Sequence, residues 1–141
     1  MFAAARRGRY DAEFELAAVA RAPTQPAIVR GTALTLMAGY TRGASAAALH
    51  EGLRDPSALV RLGALTGSTR WPHDERWRLT RHLLTAPERA VRMEAGRLLA
   101  PLMTTLPAST TAELAAALAE YRQSLELNAD RAEAQAALAA L

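Results

Sequence analysis

The stretch Asp55-Pro56-Ser57-Ala58-Leu59-Val60-Arg61-Leu62-Gly63-Ala64 decides the fold, because its landmarks recur on both sides of it. Val29-Arg30 with Ala33, Val60-Arg61 with Ala64, and Val91-Arg92 with Ala95 repeat at an interval of 31 residues. Each set follows shortly after a proline: Pro26, Pro56 and Pro87. Leu53 and Leu84 keep the same interval, so the register reaches upstream of the prolines. A period of this length marks stacked helical units, none of which can bury its apolar face alone.

Working outward, each unit reads as helix, turn, helix. In the middle one, Ser45 is the expected cap of a helix carrying Leu49 and Leu53. Asp55-Pro56 then turns the chain, and a second helix runs from Pro56 to about Thr66 before Gly67 stops it. Upstream, Tyr10 to Ala20 places Tyr10, Phe14, Ala17 and Ala18 on one face. Ala22-Pro23-Thr24-Gln25-Pro26 breaks that helix, and its partner runs from Pro26 to about Tyr40. Phe2 to Arg7 reads as the end of an earlier helix, closed by Gly8. Downstream, Asp74 is the expected cap of a helix with Trp77, Leu79, Leu83 and Leu84; after Ala86-Pro87 its partner runs to Met103. In the last forty residues Leu114, Leu118, Tyr121 and Leu125 again recur at helical spacing.

Two resemblances follow from these residues. Asp55-Pro56-x-x-Leu59-Val60-Arg61-x-x-Ala64 resembles the second-helix signature of HEAT repeats, with looser copies around Val29 and Val91. The resemblance covers residues of about 10 to 103 and implies a ladder of hydrogen bonds between units, built from an Asp six residues before the Arg. Asp55 and Arg61 have that spacing, whereas Thr24 and Ala86 stand where the other acids would be. Ala117, Tyr121, Ser124 and Ala129, followed by Leu138-Ala139, resemble the second helix of a tetratricopeptide (TPR) repeat leading into the next repeat, with Ala129 in place of the family's proline. Together they imply an all-α, right-handed α-α superhelix of about eight helices, a single solenoid domain over residues 1–141, with TPR-like helices from 109 that look cut from a longer array. The layout is similar to bacterial proteins in which HEAT-like pairs lead into TPR repeats. Some of those carry an upstream multihaem cytochrome region, which implies an exported parent chain.

Composition bounds the function. The chain has 141 residues, half of them apolar and 22% charged, which suits a folded domain with its own core. No run approaches the roughly 20 apolar residues of a membrane span, so no membrane insertion is expected. Phe2-Ala3-Ala4-Ala5 is too short for a signal-peptide core and precedes Arg6-Arg7 instead of following them. That favours the cytoplasm, with the periplasm as the alternative if the segment comes from an exported cytochrome-like protein. Without cysteine there is no disulfide, thiolate zinc site, thiol nucleophile or Cys-x-x-Cys-His haem attachment. All 17 basic residues are arginine, yet the formal net charge is only +3. Residues 54–97 carry net +4 and residues 98–141 net −3, an asymmetry suited to head-to-tail self-association or to docking an acidic segment.

The search for chemistry is negative. His50, His73 and His82 have no metal-ligand spacing, the serines lie outside any Gly-x-Ser-x-Gly elbow, and the glycines are dispersed, so neither an enzyme nor a cofactor or metal is expected. Two features remain as candidate partner-binding residues. Arg30, Arg61 and Arg92 align along one edge if the units are equivalent, a row of forked donors for carboxylate or phosphate. The plainer reading, which the HEAT resemblance favours, has them bonding between units. Trp71, Trp77, Arg78 and Arg81 form an aromatic and basic tract that can stack on a base or grip a peptide. Its plainer reading puts Trp77 in the core and Trp71 against the preceding turn. The leading functional expectation is a non-enzymatic scaffold binding a protein or peptide segment, with self-association through the C-terminal helices as a variant. A nucleic-acid-binding or DNA-repair protein and a structural spacer are the alternatives; the small net charge argues against nucleic acid.

Overall fold

Proline and glycine punctuate this chain closely enough that its regular elements are short helices. The computed structural model describes residues 12–40 and 43–141, and among these every regular element is helical, with no strand. Among the described residues eight α-helices follow one another: α1 Ala12–Arg21, α2 Ala27–Leu36, α3 Gly43–Gly52, α4 Ala58–Gly67, α5 His73–Thr80, α6 Arg89–Leu99, α7 Ala108–Glu126 and α8 Ala132–Ala139. Short 3-10 segments lie at Met37–Gly39, Arg81–Thr85 and Ala100–Leu102. The expected helix over Phe2 to Arg7, and Tyr10 in the next one, lie outside the described residues.

The chain forms two compact units, residues 1–80 and 81–141. In the first, α1 packs on α2 and α3, α3 on α4, and α2 on α4, so the first helices of successive pairs adjoin and so do the second. Most of the repeated positions make the core: Ala33, Val60 and Ala64 are fully buried, with Leu34, Leu49, Leu53 and Leu65 around them, whereas Val29 is only partly buried. Helices α2 and α4 meet backbone to backbone. A β-carbon on Gly31 would stand 2.6 Å from the Leu59 carbonyl oxygen, and one on Gly63 would collide with the Gly31 carbonyl. These glycines are therefore packing residues inside their helices, where propensity alone disfavours them.

Three local expectations are corrected. Ser45 does not cap α3, because that helix already begins at Gly43, whose φ of +63° suits glycine. Ser45 is buried inside it, and both its hydroxyl (2.9 Å) and its N–H (3.2 Å) donate to Glu13 Oε1 on α1. A carboxylate 32 residues upstream thus satisfies an open amide of the first turn. Phe14 is 72% exposed, because α1 buries the opposite stripe of Ala12, Leu16, Ala17 and Ala20. Asp74 lies within the first turn of α5 rather than ahead of it, and the Arg76 N–H donates to the Pro72 carbonyl at 2.8 Å.

In the second unit, the Arg81–Thr85 segment and α7 pack on α6, and α8 packs on α7. Val91, Ala95, Leu98 and Leu99 of α6 face Leu114 and Ala117 in the core. A β-carbon on Gly96 would touch Ala117 at 3.0 Å, so α6 and α7 also run close.

Candidate functional site

The arginine row is turned inward. Arg61 Nη1 donates to the carbonyls of Asp55 (2.9 Å) and Pro56 (3.3 Å). Arg92 Nη1 does the same to Ala86 (2.8 Å) and Pro87 (2.9 Å). Each guanidinium therefore reaches back over the first turn of its own helix and fastens the X-Pro turn that precedes it. Arg30 departs from this pattern because Pro26 stands four residues before it, where the others have five. Its Nε donates instead to the Ala20 carbonyl at the end of α1 (2.9 Å).

The outer edge of the fork takes a carboxylate from the following element. Arg30 Nη2 donates to Asp55 Oδ2, and Asp55 Oδ1 accepts the Ser57 N–H at 2.9 Å, closing the turn into α4. Arg92 holds Glu120 of α7 bidentately, Nε to Oε1 and Nη2 to Oε2, both at 2.9 Å. This hydrogen bond holds the Glu120 carboxyl below its ordinary value and raises the Arg92 guanidinium. The Asp55 side chain thus pairs with the arginine of the preceding unit, and Arg61 takes the Asp55 main chain.

The aromatic tract divides. Trp71 is 3% exposed, its ring set edge-on to His50 of α3 with centroids 5.1 Å apart, so it offers no face to a ligand. Arg76 is also buried and donates to the Trp71 carbonyl at 2.9 Å; burial draws its guanidinium below the ordinary value. Trp77, expected in the core, is half-buried, because Arg76, Leu79 and Thr80 occupy the inward stripe of α5. Arg78 is exposed beside Glu75 at 3.9 Å, and Arg81 is exposed in the second unit.

The structure also leaves large apolar side chains on the surface. Ile28 on α2 and Leu59 on α4 are 60% and 48% exposed, and they occupy the same position in successive units, 31 residues apart. The Gly31 to Leu59 contact brings their two helices together at this point. Beside Ile28 on the same stripe, Thr32 donates its hydroxyl to the Ile28 carbonyl at 2.7 Å, so that polar group is spent on its own helix. The interval of 31 was the available signal for this pair, but large aliphatic residues at matching positions read first as core.

The second unit carries an open groove of about 500 Å³ between Arg97, Ala100 and Pro101 on one side and Ala137, Ala140 and Leu141 on the other, with Tyr121 of α7 between them. It adjoins a smaller hollow of about 270 Å³ through Ala100 and Leu141, where Met103, Leu118 and Arg122 line the wall. Arg97 is held bidentately by Glu94 at 2.9 and 2.7 Å. Among the described residues no group of three or more His, Asp or Glu is placed to hold a metal, and no helix is long and apolar enough to cross a membrane. No protein-family model, curated protein or solved structure matches the chain.

Proposed function

We propose that this chain is a non-enzymatic interaction scaffold, a right-handed solenoid of HEAT-like helix pairs leading into TPR-like helices, whose second helices hold a protein segment. The observation that carries the reading is the exposed Ile28 and Leu59 pair at equivalent positions of adjoining helices. A repeat array that presents one apolar position per unit offers successive footholds to a single extended or helical segment. The arginines at the repeat positions support the same reading, since their hydrogen bonds fasten turns and link helices.

The test is retention of partners from the source lysate on the immobilised chain, compared with the double variant Ile28→Glu and Leu59→Glu at two salt concentrations. A defined protein retained at the higher salt by the unaltered chain and lost from the variant is the expected result. Nucleic acid alone, released by salt, would transfer the function to the basic tract. Equal retention by both proteins would remove the second-helix face from the function, and empty beads would favour the spacer.

A further inference from the structure

The face that carries Ile28 and Leu59 holds no charge and keeps no side-chain donor in reserve. Ile28, Thr32 and Thr35 follow at helical spacing along α2, and Leu59, Leu62 and Thr66 along α4, all of them exposed or half-buried. Ile28 matches Leu59, and Thr35 matches Thr66, at the interval of 31 residues. None of the six is ionisable. Each threonine hydroxyl donates to the carbonyl four residues back: Thr32 to Ile28 at 2.7 Å, and Thr35 to Gly31 and Thr66 to Leu62, both at 3.1 Å. With its proton spent, a threonine offers a ligand bulk and a methyl group but no donor. The backbone amides beyond the first turn are held in the helical ladders.

We infer that the segment this face takes is an amphipathic helix and not an extended strand; the inference rests on the reading of the face as a binding surface. An extended segment lays its own N–H and C=O groups against whatever it binds, and each one covered without a partner is left unsatisfied. The α2 and α4 rows have no charge and no side-chain donor with which to answer its carbonyls. A helix brings its backbone bonds with it and presents side chains alone. Helices α2 and α4 meet backbone to backbone at Gly31 and Gly63, so their rows stand side by side, and a third helix can seat a ridge in the groove between them. Its contacting side is aliphatic at positions i, i+3 or i+4, and i+7, so as to bury both Ile28 and Leu59. That side carries no ionised group, since nothing on the face would pair with one.

The test is selection from a phage-displayed library of random segments of about 18 residues, roughly five helical turns. Segments are selected on the unaltered chain and counter-selected on the double variant Ile28→Glu with Leu59→Glu. Those that depend on the two residues are expected to place their apolar side chains at helical spacing. As free peptides they are expected to gain helical circular dichroism on mixing with the chain, above the sum of the two alone. A proline at the peptide's centre should weaken binding by about tenfold or more, because it breaks a helix and leaves an extended chain intact. Selected segments that alternate apolar and polar residues, gain no helicity or tolerate the central proline overturn the helix and leave the binding surface standing. A library that yields no segment dependent on Ile28 and Leu59 removes the surface itself, and the inference with it. If the double variant misfolds, Ile28→Gln and Leu59→Gln, milder changes at exposed sites, replace it in the counter-selection and the same outcomes decide.

Discussion

Gly63 carries more of this structure than its lack of a side chain suggests. It lies inside α4, where glycine costs about 1 kcal/mol against alanine in helix propensity, yet no β-carbon fits beside the Gly31 carbonyl. Gly39 provides the contrast, since nothing lies within 4 Å of the place its β-carbon would take and its φ is not positive. The same substitution should therefore have opposite signs at the two sites. Gly63→Ala is expected to destabilise the chain by about 1–3 kcal/mol, the usual cost of overpacking, because a backbone oxygen cannot swing aside as a side chain can. Gly39→Ala is expected to be neutral or to stabilise by about 0.4–1 kcal/mol, by reducing the freedom of the unfolded chain. Urea unfolding of the two variants beside the parent decides it, and equal effects would mean that α2 and α4 do not meet backbone to backbone.

Between elements, the arginine forks couple burial to charge. Arg92 joins the turn before α6 to Glu120 on α7, with Arg89 adding a more distant positive charge at 3.7 Å. Because the folded Glu120 carboxyl titrates below its ordinary value of 4.5, the bond contributes fully at neutral pH. The contribution begins to fade as pH falls below that value and is gone once pH passes the lowered folded one. Thermal melts between neutral and acid pH should therefore show a shallower acid decline for Glu120→Gln than for the parent; an unchanged slope would show that the pair adds nothing. The repeat interval made most of the buried face legible, since Val60, Ala64, Val91, Ala95, Leu53 and Leu84 are buried, although Val29 is only partly so. It could not reveal Glu13 reaching Ser45 or His50 meeting Trp71, because those contacts depend on which helices adjoin and have no local spacing. Phe14 and Trp77 misled for a related reason: an aromatic at helical spacing reads as core, and only the choice of inward stripe decides otherwise. For the candidate sites, the sequence displayed the arginines but not their direction, and it displayed Ile28 and Leu59 only as two more aliphatic residues.

For the whole molecule, an apolar face and an exposed cation answer salt in opposite ways. Ile28 and Leu59 carry no charge, whereas Arg78 of the same unit is an exposed cation. Apolar burial is insensitive to moderate salt or strengthened by excluded salts, while exposed charges are screened within about 8 Å at physiological ionic strength. A client held on the second-helix face should therefore stay bound as salt rises. Ile28→Glu with Leu59→Glu should release it, and Arg78→Glu should not. Release by salt from the unaltered chain, with retention at low salt unchanged by Ile28→Glu with Leu59→Glu and lost in Arg78→Glu, would instead transfer the client to the arginines.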